Sequence, residues 1–200
     1  VDTGLIVTNT TQEVIFEPSV ATKFVISPTT STSLDQTATI VVEAQDTHGN
    51  INYNYQLDVT LDSTGTATGE GIVNIVAGIG SIDLNNTIAE TVVLSLIDSQ
   101  STLLNVDSSQ NLVFTLAPPH HFEIIDPANV TVDATATITI TAFDIFGNIS
   151  TSFNKNIKLV ATGTAPDVGL SATNIAEVTI TAGIGTISLD SAIADTIVLT

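Results

Sequence analysis

The side chains in this sequence that could do chemistry are few and widely spaced. Asp46 and Asn50 bracket the run Asp46-Thr47-His48-Gly49-Asn50, and Asp144 and Asn148 bracket Asp144-Ile145-Phe146-Gly147-Asn148 in the same way. Oxygens at this spacing could contribute to a Ca2+ site at the end of a domain, joined by Asp35 or Asp133. The same residues also make a turn, because Asp bonds its own backbone and Gly-Asn tolerates positive φ. His120-His121, after Pro118-Pro119, offer two imidazoles to a transition metal or form an exposed, stiff linker. His48 is no general base on this reading, since Phe146 takes its place in the second run. Paired-carboxylate signatures, nucleophile motifs and glycine-rich phosphate loops are absent, so the expected class is not an enzyme. Asn9, Asn85, Asn129 and Asn148 open Asn-x-Ser/Thr triplets that permit glycosylation. Ser and Thr make up about a quarter of the chain, so triplets of this kind also arise by chance.

Charge narrows the partners. The chain has 21 acidic residues against Lys23, Lys155 and Lys158, with no Arg, for a net charge of −18. A phosphate backbone or an anionic membrane needs cationic neutralisation that this composition cannot supply. No cofactor is expected other than Ca2+, which unpaired carboxylates could attract. With no Cys there is neither a disulfide framework nor thiolate chemistry. No apolar run approaches the ~18 residues that suggest a membrane span. The chain contains no Met and opens on Val1 without a charged-then-apolar leader, the expectation being a processed or excerpted piece of a longer polypeptide.

These residues sit on a repeat. Phe24 returns as Phe122, Asp35 as Asp133, Thr37-Ala38-Thr39-Ile40 as Thr135-Ala136-Thr137-Ile138, all 98 positions later. At the same offset, Gly4 to Phe16 match Thr102 to Phe114, which close the first full unit. The chain therefore opens with a closing segment, while Ala182 to Thr200 match Ala77 to Ser95 and leave the second unit without its own. This divides the chain into residues 1–18 as a closing strand segment, 19–117 as a first domain and 118–200 as a second. Each unit has the size of an independent domain, and tandem arrays of this kind build length.

Within each unit the pattern is β. Ala136, Ile138, Ile140 and Ala142 alternate with Thr135, Thr137, Thr139 and Thr141, which places one face in a core and one in water. Leu57, Val59 and Leu61, and Ile157, Leu159 and Ala161, mark a second strand. Ile72 to Val76 and Ser81 to Leu84 read as a hairpin joined by Ala77-Gly78-Ile79-Gly80. About seven short strands per unit and no helical period argue for an antiparallel sandwich.

The run Thr39 to Asn50 and its copy Thr137 to Asn148, each an alternating strand entering an Asp-x-x-Gly-Asn turn, resemble bacterial immunoglobulin-like repeats of the invasin and intimin type. The Ala-Gly-x-Gly segment before a strand is similar as well. The resemblance covers both repeats and implies all-β architecture, tandem Ig-like sandwiches and an extracellular setting at a cell surface. By that comparison Glu13 to Phe16 and Asn111 to Leu116 are last strands, and the second sandwich lacks one. Val14, Phe16, Leu112 and Phe114 are then the inserting side chains, with Ile138, Ile140, Ile197 and Leu199 as the receiving core. The missing strand comes from another copy, head to tail, or from the continuation of one covalent chain. The expected function is a structural unit of a surface fibre, stalk or surface layer. The competing reading is an adhesin or carbohydrate-binding module using the expanded loop near Pro166-Asp167-Val168-Gly169. A chain with Tyr53 and Tyr55, no Trp and no Arg is poorly equipped for it.

Overall fold

A computed structural model describes residues 13–125, 128–162, 175–191, 193–194 and 196–200, and among them every regular element is a strand. The first repeat forms β1 (Lys23–Ile26), β2 (Thr32–Ser33), β3 (Ala38–Gln45), β4 (Val59–Ser63), β5 (Gly71–Val73), β6 (Ile79–Leu84), β7 (Thr91–Ile97) and β8 (Gln110–Thr115). One sheet has the order β1-β3-β6 and the other β2-β8-β7-β4-β5. All pairs are antiparallel except β2 on β8, which is parallel. This is the strand order of an immunoglobulin-type sandwich. Alternation does the sorting: Ala38, Ile40, Val42 and Ala44 of β3 are buried while the residues between them are not. Phe24, Ile26, Ile40, Leu61, Leu94, Leu112 and Phe114, drawn from both sheets, meet in one core.

The second repeat forms β9 (His121–Ile125), β10 (Ala136–Phe143), β11 (Asn156–Thr162), β12 (Ile175–Thr179), β13 (Ile184–Leu189) and β14 (Val198–Leu199). Its sheets run β13-β10-β9 and β12-β11-β14. The registers copy those of the first sandwich: Ala161 opposes Leu199 as Ser63 opposes Leu94. Ile138, Ile140, Leu159, Val178 and Ile180 form a separate core. The architecture is all-β, with antiparallel sheets paired into sandwiches.

Three details differ from the sequence reading. The Ala77-Gly78 turn is tight, with Ala77 and Gly78 both at positive φ (51° and 77°) and Val76 N–H donating to Ile79 O at 2.9 Å. Yet the segments it joins belong to opposite sheets, because β5 pairs with β4 and β6 pairs with β3. The expected hairpin is therefore a crossover between layers. The turn tucks against the loop before it: a Cβ on Gly78 would lie 2.4 Å from Asn52 O, and one on Gly183 2.7 Å from Ser150 O. Leu57 falls outside β4 and is exposed, since the strand starts at Val59. Thr141, expected to face water, is buried between Glu123 of β9 and Ile184 of β13.

Candidate functional site

In the first sandwich β8 closes the fold. Its Leu112 lies opposite Val92 of β7, and its Phe114 lies beside Thr32 of β2. Leu34 N–H donates to Thr115 O at 2.9 Å and extends the parallel contact. Leu112 and Phe114 are at most 2% exposed. A second segment covers β1: Phe24 N–H donates to Asn105 O, and Ile26 N–H to Ser108 Oγ, each at 2.9 Å. Strand β2 is a strand because β8 lies next to it.

Among the described residues the second sandwich has the walls of this site without its filling. Val130 and Val132 stand where Thr32 and Leu34 do, and Ile197 and Leu199 where Val92 and Leu94 do. Between them runs a groove of about 770 Å3, lined by Val130, Val132, Ala136, Ile138, Ile197 and Leu199 among others. Burial records the difference. Val132 is 42% exposed against 3% for Leu34, and Phe122 43% against 1% for Phe24. Among the described residues β9 and β14 are both sheet edges. Ile140 is buried in the same core but does not line the groove.

Val14, Ile15 and Phe16, the sequence counterparts of Leu112, Val113 and Phe114, are 73%, 73% and 92% exposed. Corresponding apolar segments thus occur twice, once seated in a sandwich and once uncovered. Isolated exposed apolar residues are ordinary, whereas a run of three with a matching open groove is not.

The Asp-x-x-Gly-Asn turns carry a dense set of hydrogen bonds. Asp46 accepts from His48 N–H and Asn50 N–H (2.9 Å each), from the Asn50 side-chain amide, and from Ser19 N–H and hydroxyl at 3.1 and 3.3 Å. Asp144 accepts from Phe146 N–H, Asn148 N–H and the Asn148 amide in the same pattern, and the Ala117 backbone N–H lies close enough to help lower its pKa. Each carboxylate therefore bolts the chain just ahead of a sandwich onto that sandwich's own turn. Burial alone would raise the Asp46 pKa, and the donors from Asn50, Ser19 and His48 outweigh it, so the carboxyl ionises well below the usual range. Asp144 is lowered for the same balance of reasons. Among the described residues no group of three or more His, Cys, Asp or Glu is placed to hold a metal. His120 and His121 stand side by side, Nδ1 to Nδ1 at 3.3 Å, with His121 stacked on Phe143 and facing Glu123.

The remaining sequence candidates are scattered. Asn85 is exposed and accepts from the Thr37 hydroxyl. Asn129 is exposed and lines the groove. The Asn148 amide is engaged by Asp144 and by Thr87 O at 3.0 Å. Asn9 and the loop at Pro166-Asp167-Val168-Gly169 lie outside the described residues. Sequence reasoning missed the groove walls Val130 and Val132 and the clamped residues Ser19 and Ala117. The repeat offset would have found all four, since it lays them on Thr32, Leu34 and each other. Ser150, the counterpart of Asn52, shows how the copies diverge: Asn52 reaches Ser19 O, while the shorter Ser150 leaves its hydroxyl buried without a partner.

No protein-family model matches the chain, and no curated protein matches it. Among solved structures it is similar to invasin, a bacterial integrin-binding protein, at 17% identity and TM-score 0.46, over 88% of this chain and 35% of that one. It is also similar to the adhesin InvE of Yersinia pseudotuberculosis, at 15% identity and TM-score 0.44, over 88% of this chain and 58% of that one. The D0–D1 domains of intimin match at 15% identity and TM-score 0.37, over 86% of both chains. This chain spans about a third of the invasin structure it matches.

Proposed function

We propose that this chain is an extracellular structural unit of a surface fibre, stalk or layer, in which each incomplete sandwich is closed by a strand of the β8 type. The observation that carries the reading is the pairing of an open groove in the second sandwich with a free copy of the strand that fills the same groove in the first. An unpaired edge beside an apolar groove recruits a strand, because main-chain hydrogen bonds supply affinity and alternate side chains supply fit. The donor and acceptor lie at different places on the chain, so the contact is heterologous and propagates into a filament instead of closing a dimer. The Thr-rich outer faces hold water with few charges, which suits a filament exposed to its surroundings.

Negative-stain microscopy of the 200-residue chain tests the reading. Filaments are expected at high protein concentration, and deletion of residues 1–17 should abolish them while leaving a folded monomer by circular dichroism. Filaments that survive the deletion would sink it. So would monomers at every concentration, which would assign the closing strand to a longer covalent chain.

A further inference from the structure

We infer that the strand entering the groove is residues 13–17 of a second copy, antiparallel to β14, with Val14 opposite Ile197 and Phe16 beside Val130. This rests on the strand-completion reading above and adds the occupant, its direction and its register.

The register follows from the filled sandwich. There Val92 opposes Leu112 and Val93 opposes Asn111, while Thr32 lies beside Phe114. The repeat carries Leu112 to Val14, Asn111 to Glu13 and Phe114 to Phe16, and it carries Val92, Val93 and Thr32 to Ile197, Val198 and Val130. Seated this way, Val14 and Phe16 point inward onto Ile138 and Leu199, and Glu13, Ile15 and Glu17 point out. A slip of one residue turns all five to the wrong face and buries two carboxylates with no basic partner. A slip of two puts Phe16 where the smaller Leu112 sits and Pro18 at the Phe114 position, or, in the other direction, Val14 at the Phe114 position.

The connection to the donor's own body fits equally well. Phe114 is followed three residues later by Ala117, held on Asp144, and Phe16 three residues later by Ser19, held on Asp46 at 3.1 Å. The joint between copies thus has the same chain length as the joint between the two sandwiches of one copy. The occupant's own sandwich can take up the position that the second sandwich holds after the first.

A chain without Cys makes the register readable by disulfide trapping. Phe114 N–H donates to Glu90 O at 2.8 Å, which makes that pair a hydrogen-bonded one. Pairs alternate along an antiparallel ladder, so Val93 and Asn111 form a non-bonded pair with close Cα atoms. Their counterparts are Val198 and Glu13, both exposed, and a disulfide fits the non-bonded spacing. The double variant Glu13→Cys with Val198→Cys should oxidise to a ladder of covalent multimers on a non-reducing gel, and Ile15→Cys with Val198→Cys should not. A ladder from the second variant, with filaments still present, would overturn the register and leave the strand-completion reading standing. A fast-migrating cross-linked monomer would mean that the chain fills its own groove, and would overturn the second-copy occupant. Absence of both multimers and wild-type filaments would remove the occupant and the underlying reading together.

Discussion

At the scale of single residues, the turn aspartates are acceptors at chain junctions. Asp46 gathers donors from its own turn and from Ser19, 27 positions away in sequence, and Asp144 does the same for Ala117. Their effect on stability depends on pH in a definite direction. Both carboxyls are lowered in the folded chain, so below the ordinary Asp value of about 3.9 the unfolded chain binds more protons than the folded one. The stabilisation is complete above that value and is lost as pH falls through the folded one. Thermal melts should therefore hold level down to about pH 5 and then decline. Asp46→Asn should lower the melting temperature at neutral pH and shrink the acid decline, leaving the share that Asp144, Glu90 and Asp98 contribute. An acid limb of unchanged depth in that variant would remove Asp46 from the account.

At the scale of elements, two corresponding strand segments occupy two environments, and truncating an inward-facing side chain should act differently in each. Leu112→Ala empties a fully buried site between β7 and the facing sheet, at a cost of about 2–5 kcal/mol in the unfolding free energy of the first sandwich. Phe16→Ala touches a side chain that is 92% exposed, and should change monomer stability by no more than about 0.5 kcal/mol. Its effect belongs to assembly, where filament length and yield should fall. Denaturant unfolding and microscopy on the two variants separate the cases. A Phe16→Ala chain that assembles like wild type would show that this ring does not fill the groove. The short strand β2 illustrates the same dependence on context: Thr32 and Ser33 pair with β8, and their counterparts Val130 and Thr131 are not in a strand.

At the scale of the whole molecule, charge opposes the association that the groove invites. A net charge of −18 on every copy makes the encounter repulsive, and Glu13 and Glu17 flank the entering side chains. Raising the ionic strength from 0.01 to 0.15 M shortens the screening length from about 30 to about 8 Å, so assembly should accelerate over that range. Light scattering against salt at fixed pH measures it, and slower assembly in added salt would contradict a strand-driven contact between like-charged copies. Hydrophobic insertion also strengthens in excluded salts such as sulfate, which should act beyond simple screening.

Much of this architecture is legible in the sequence alone, because it is written in local order. Alternation between Thr and apolar residues along 136–142 follows the pleat of a strand, and the Ala-Gly-x-Gly segments mark turns. The 98-residue repeat is covalent, so the spare closing strand could be seen by alignment alone. Sheet membership could not: periodicity is the same on either layer, and only tertiary contact sends β5 to β4 and β6 to β3. Nor could the approach of Ser19 and Ala117 to the turn aspartates, which folding alone brings within reach. What the tertiary structure decided was which apolar faces are covered. Burial depends on segments far apart in sequence, as where Ser33 donates to Leu116 O across 83 positions, and among the described residues the groove lies where no such segment covers the core.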